Sequence, residues 1–379
     1  MTTDHGGNVY ITGYFTGDSL VLDNIVLHQS GADNVFLAKF NSSGTTVWAY
    51  SEGSSGIDGP NAICTDSLGN VFITGYFTSL NMTFGAVTLT SPYMNNLFIT
   101  KYDSSGDVRW AKYFGGNNGN AATGISADAS GNVYVTGYYL DTIATGNNTL
   151  VGAGLQNIFI AAYDSSGALS WAHSAGGTNA DQANAISADA AGNSYITGYF
   201  QSDTIVFAND TLVNPFGFPV TFVAKYGPSG QSLWGIATTG GSTVNQAAGI
   251  SFSDAGVYVA GSYTSPSIIL GSDTLFSPTA QGSFIVRIGV AVPAGITAVG
   301  ISTDRVVVYP NPSTGHFYFN GVINGNKIEV YDLIGHLIYA AIADHGDYMI
   351  DLSAKAKGLY FYSISEQNNL IQTGKVIIE

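Results

Sequence analysis

At 379 residues the chain has room for two domains, or for one large repeat domain with a small appendix. Its 48 Gly, 23 Tyr and 20 Phe beside only 10% charged residues describe a β-rich protein, and helix-favouring runs are missing. A net charge of -15 with only 11 Lys and Arg supplies no basic stripe, which excludes nucleic acid and disfavours an anionic membrane surface.

The first residues, Met1-Thr2-Thr3-Asp4-His5, have neither the basic start nor the apolar stretch of a signal peptide. Asp4 precedes Asn8 by the interval that separates Asp128 from Asn132, so the reading begins inside a repeat. The expectation is a chain shortened at its N-terminus relative to a longer protein.

From there one unit recurs. Ile11-Thr12-Gly13 returns as Ile73-Thr74-Gly75, Val135-Thr136-Gly137, Ile196-Thr197-Gly198 and Val259-Ala260-Gly261, at spacings of 62, 62, 61 and 63. All four tryptophans, Trp48, Trp110, Trp171 and Trp234, share one repeat position. A unit reads as four strands. The first is short and apolar, as in Ala185-Ile186-Ser187-Ala188-Asp189, and the single cysteine, Cys64, stands where Ser187 does. One cysteine excludes an internal disulfide framework and a Cys-based zinc site; a small packed side chain is expected there. A turn follows (Asp66 to Asn70, Asp128 to Asn132, Asp189 to Asn193) in which Gly and Asn tolerate positive φ. The second strand, such as Val71-Phe72-Ile73-Thr74-Gly75-Tyr76-Phe77, is apolar almost throughout and predicts cover on both faces. After a variable insert come a third strand, as in Leu97-Phe98-Ile99-Thr100-Lys101-Tyr102, a turn at Asp103-Ser104-Ser105-Gly106, and a fourth strand holding Val108-Arg109-Trp110-Ala111.

A unit of this length cannot cover both faces of its own sheet, so neighbours must stack. That predicts a β-propeller of about five four-stranded units over residues 1–289, both outer ones incomplete. The Asp-x-x-Gly-Asn-Val-Tyr-Ile-Thr-Gly-Tyr core, the Phe-x-x-Lys-Tyr-Asp strand and the Trp-Ala that follows resemble the bacterial β-propeller repeat called SBBP. The resemblance implies architecture and no particular activity.

Candidate binding residues lie five positions before each first-strand Ile: Asp58, Asn120, Asp181 and Asn245. In a propeller these positions fall near the axis, where four oxygen donors suit sugar hydroxyls or a hard cation. Calcium at Asp58 and Asp181 is the one metal the set suggests, and no other cofactor is expected. The alternative is a repeated turn cap. The Asp-Ser-Ser-Gly turns are read as Asx turns. The inserts (78–96, 140–157, 201–220, 264–282) differ most between units and are where partner specificity is expected. No catalytic constellation is found: the six histidines are scattered, and neither a Gly-x-Ser-x-Gly elbow nor a phosphate loop occurs.

The window from Phe284 to Ser302 is the most apolar, but it carries Arg287 and Pro293 and reads as the end of a strand plus a linker, residues 290–305. Strand and turn signals then recur every eight to twelve residues through 306–379, predicting a small antiparallel β-sandwich. Tyr309-Pro310-Asn311-Pro312 with Gly315 opens it, Val330-Tyr331-Asp332 with Gly335 follows, then Asp351-Leu352-Ser353, Gly358-Leu359-Tyr360-Phe361 and Lys375-Val376-Ile377-Ile378. In this order they resemble the type A sorting domain of type IX secretion. The resemblance implies engagement with that machinery, export across the outer membrane, and an extracellular or cell-surface location.

The expectation is a non-enzymatic exported repeat protein whose propeller binds glycan or protein in adhesion. The alternative is a structural surface or matrix repeat with no dedicated ligand, and a polysaccharide- or peptide-cleaving enzyme ranks last.

Overall fold

The computed structural model describes residues 1–29, 31–116, 118–145, 148–207, 210–239, 243–253, 255–270, 273–276, 281–289, 306–332, 336–366 and 369–379. Every regular element in them is a β-strand, and the chain divides into two compact units, Met1–Val292 and Pro293–Glu379.

Among the described residues of the first, five repeat units of propeller type can be followed. The second unit shows the plan: Asp58–Thr65, Val71–Phe77, Asn95–Tyr102 and Val108–Gly116 form an antiparallel sheet in that order. Units three and four repeat it, beginning at Asp181–Ala188 in the fourth. The fifth pairs Asn245–Ser253, Gly256–Tyr263 and Gly282–Ile288. The second strand is buried along nearly its whole length in units two to four, because a neighbouring sheet lies on each face. At the first seam Tyr10, Val35 and Leu37 of unit one meet Ile73, Phe77 and Phe98 of unit two. At the third, Ile158 and Ile160 meet Ile186, Ile196 and Phe222.

The inserts take a defined structural role. Each contains a short hairpin, such as Asn81–Phe84 with Val87–Thr90, whose apolar positions Met82 and Phe84 are buried. In units two and three the hairpin adds to the outer strand of the unit before it: Gly53 pairs with Thr83, and Gly115 with Ala144. This pairing covers an edge that would otherwise expose unpaired backbone groups. The inserts, where partner specificity is expected, thus also contribute to the seams.

The tryptophans also belong to the seams. The indole N–H of Trp110 donates to the Ser165 carbonyl and that of Trp171 to the Pro228 carbonyl, each in the third-to-fourth-strand turn of the next unit. A Cβ at Gly167 would stand 2.7 Å from the Trp110 ring, so the turn needs Gly both for its φ of 82° and for the indole's approach.

In the second compact unit, two antiparallel sheets enclose one core. One sheet holds Val307–Tyr309, His316–Asn320 and Asp347–Asp351; the other holds Lys327–Tyr331, Leu337–Ile342, Gly358–Glu366 and Asn369–Ile378. Phe317, Phe319, Ile328, Val330 and Ile364 fill the space between them.

Candidate functional site

The four candidate binding residues each head a first strand, and three of them are hydrogen-bonded to the chain's own loops and strand ends. Asp58 is fully buried and accepts from the Ser54 hydroxyl at 2.6 Å and the Ser54 amide. Burial pushes its carboxyl up to about 6. Asp181, also fully buried, accepts from the amides of Gly177, Gln201 and Ser202 and from the Ser202 hydroxyl at 2.7 Å. The Asn245 amide oxygen accepts from the Ser265 hydroxyl at 3.1 Å. The Asn120 side-chain amide is buried without a hydrogen-bond partner among the described residues. The contacts of Asp181 tie the incoming loop to the loop after the second strand, Asn245 bonds that second loop, and Asp58 bonds the end of the preceding unit's outer strand. Among the described residues no group of three or more His, Cys, Asp or Glu is placed to hold a metal ion.

The turn aspartates are engaged in the same way. Asp128 Oδ1 accepts from the Ser130 and Asn132 amides, while Oδ2 accepts from the Asn132 side-chain amide at 2.8 Å and the Tyr134 hydroxyl at 3.0 Å. Asp189 repeats this with Asn193 and Tyr195. Burial, then the charge of Asp189, push the Tyr195 phenol well above its usual range. In the Asp-Ser-Ser-Gly turns, Asp103 and Asp164 accept backbone amides as Asx turns do.

One set of polar residues escaped the sequence reading. The first strands of units two to five each contain a β-bulge, and in units two to four the extra residue, Asn61, Thr123 or Asn184, faces the next unit, while in the fifth it is Ala248. Asn61 donates to the Ala122 carbonyl at 2.8 Å, Thr123 to the Ala183 carbonyl at 2.7 Å, and Asn184 to the Ala247 carbonyl at 2.6 Å. Lining the units up shows Asn, Thr and Asn in one column, but only the bulge reveals that the side chain crosses a seam. Beside this column Cys64 packs against the core of the second seam, and burial pushes its thiol up.

Two cavities lie at the seams. The larger, about 540 Å³, opens between the second and third units and is lined by Thr88, Leu89, Thr90, Lys112, Tyr113 and Asn148, among others. The smaller, about 160 Å³, lies between Asp128, Tyr134, Gly192 and Pro228, where the carboxylate already has its partners.

The C-terminal motif residues converge on the last strand. Asn311 donates to the Lys375 carbonyl at 2.8 Å and accepts from the Ile377 amide at 3.0 Å, so one side chain pairs with two backbone groups along one edge of that strand. Pro310 and Pro312 flank it, each after a cis peptide bond. The Ser313 amide donates to the Ile377 carbonyl. At Gly315, with φ of 116°, a Cβ would stand 2.5 Å from the Ser353 backbone. Asp332 caps its turn by accepting the His336 amide, and Tyr360 donates to the Ala356 carbonyl. Gly358 starts its strand at φ of 149°. Tyr309 stacks on Tyr318 at 5.8 Å, and Lys375 is exposed. Gly335 lies outside the described residues.

Residues 307–379 match the secretion system C-terminal sorting domain. The sorting domain marks the chain for type IX export to the cell surface or extracellular space and implies engagement with that secretion machinery. Residues 109–138 match the β-propeller repeat family, in agreement with the stacked four-stranded units. An uncharacterised WD repeat-containing protein of Acanthamoeba polyphaga mimivirus is 24% identical over 274 residues. That match covers 62% of this chain, which spans only 19% of the relative's length. Among solved structures, PorZ of Porphyromonas gingivalis, an essential surface component of its type IX secretion system, is 12% identical with a TM-score of 0.22. The match covers 92% of this chain and 50% of PorZ. The extracellular domain of BT4673 from B. thetaiotaomicron is 11% identical with a TM-score of 0.15, covering 90% of this chain and 71% of that one. No helix among the described residues is long and apolar enough to cross a membrane.

Proposed function

We propose that the repeat region is a non-enzymatic surface adhesion module that binds glycan in the groove between its second and third units. The observation that carries this reading is the lining of that 540 Å³ groove, which is large enough for a small ligand. Tyr113 offers an aromatic face, Thr88, Thr90 and Asn148 offer neutral donors and acceptors, Lys112 offers a cation, and Leu89 supplies apolar contact. Such a mixture suits a sugar, whose apolar ring face and hydroxyls need both kinds of partner. Asp58, Asn120, Asp181 and Asn245 serve in this reading as caps that hold the units in place.

A glycan array probed with the full chain, and with Tyr113→Ala beside it, tests this. Binding that weakens at least tenfold in the variant supports the groove. Glycan binding that the variant leaves unchanged would move the site elsewhere, and a chain that binds no glycan would favour the structural-repeat reading.

A further inference from the structure

In the first three units, the residue two places after the outer-strand tryptophan stands beside the third-to-fourth-strand turn of the next unit. It keeps one register: Tyr50 pairs with Leu37, Lys112 with Ile99, and His173 with Ile160. At the first seam the Tyr50 ring lies 5.4 Å from Trp48, and a Cβ on Gly106 of the next unit would stand 2.7 Å from it. At the third, His173 stacks on Trp171 at 5.4 Å and on Tyr226 of the next unit at 6.2 Å, and a Cβ on Gly230 would stand 2.8 Å from its Nε2. In both, a ring fills the space between the tryptophan of one unit and the turn of the next.

The second seam has the same frame without the ring. Trp110 stacks on Tyr163 of the third unit at 6.2 Å, and the three atoms nearest to a Cβ on Gly167 all belong to Trp110. The ring position holds Lys112, whose thin stem and hydrated ammonium do not fill the space as a ring does. There the 540 Å³ groove opens, with Lys112, Tyr163, Gly167 and Ala168 in its wall.

The same residue brings the groove its charge. Among the described residues, Lys112 is the only charged one lining it, and it forms no ion pair. The chain has 26 Asp and Glu to 11 Lys and Arg, yet none of those carboxylates lines this wall. An ammonium set among neutral groups and left without a counter-charge is complementary to an anion that arrives with the ligand.

We infer that the groove takes an acidic sugar, its carboxylate or sulfate held by the Lys112 ammonium and its ring lying in the space that Tyr50 and His173 fill at the neighbouring seams. The inference rests on the glycan reading of this groove and adds the class of ligand. Lysine is a compact charge that serves carboxylate and sulfate alike, so the probes must separate the two.

A glycan array of paired probes, read with the full chain, tests it: oligouronates beside their methyl esters, and sulfated galactans beside their desulfated forms. The charged member of a pair is expected to bind about tenfold or more tightly than its neutral form, as a hydrogen bond to a charged group supplies. Preference within the uronate pairs assigns carboxylate, and preference within the galactan pairs assigns sulfate. Lys112→Gln should bring the ratio within a pair close to one, at an unchanged melting temperature. Lys112→Tyr, which copies the first seam, should close the groove and abolish binding to both members of a pair while the melting temperature holds or rises. Neutral forms that bind as well as charged ones, or a preference that survives Lys112→Gln, would overturn the inference and leave the glycan reading of the groove standing. A wild-type chain that binds no glycan at all would remove both.

Discussion

At the seam between the second and third units, Phe114 fills the position four residues after Trp110, its ring 5.6 Å from Phe159 and 5.8 Å from Tyr163. At the seam before it, the same position after Trp48 is Glu52, nearly buried beside Tyr102. Glu52 Oε2 accepts the Gly85 amide at 3.0 Å, in the turn of the hairpin that the second unit adds to the first. Burial pushes its carboxyl up to about 7, and Asp58 at the same seam is raised for the same reason. One seam is thus held by ring packing and the other partly by a carboxyl group that is costly to ionise. The same stacking plan tolerates both, since the surrounding strands, bulge and hairpin supply most of each contact.

The largest expected effect comes from removing the ring. Phe114→Ala should destabilise the repeat domain by about 3–5 kcal/mol in urea unfolding, because a buried aromatic leaves a cavity. The loss should be the same at pH 5 and pH 8.

The first seam should behave differently with pH. A carboxyl raised in the folded state keeps its proton there more firmly than in the unfolded chain, so its stabilisation is full below its ordinary range and falls as pH rises through about 7. Between pH 5 and pH 8 the repeat domain should lose on the order of 2 kcal/mol from Glu52. Glu52→Gln should remove most of that slope; a variant as pH-dependent as the wild type would show that Glu52 is not its source.

A smaller effect is expected at the fourth seam, between the fourth and fifth units. Asn184→Ala deletes one donor to the Ala247 carbonyl, and its cost in the same unfolding assay should be about 1 kcal/mol with no pH dependence.

Much of this arrangement is written in the repeat itself. The period, the four strands and the double-sided cover of the second strand follow from recurring Thr-Gly and Trp positions and from unbroken apolar runs such as Val71 to Phe77. The seams are less legible. Nothing local marks a hairpin such as Asn81–Phe84 for pairing with the previous unit's outer strand, because that contact depends on where stacking places the edge. The bulge residues Asn61, Thr123 and Asn184 form a visible column, yet their direction follows from a register shift that composition does not reveal. At the candidate site, Asp58 and Asp181 could be located from spacing alone, whereas their burial and their bonds to Ser54 and Ser202 required the loops to be in place. In the sorting domain, the motif order is plain, while the closure of Asn311 onto the last strand appears only in the fold.

If the repeated Asp and Asn side chains are internal caps, the oxygens of Asp58, Asp181 and Asn245 are already engaged by the chain's own amides and hydroxyls. Differential scanning calorimetry of the full chain, run once with calcium and once with a chelator, tests this most directly. Superposed transitions are predicted. A repeat-domain Tm that rises with calcium, and loses that rise in Asp181→Asn, would contradict the account and make the caps a metal site.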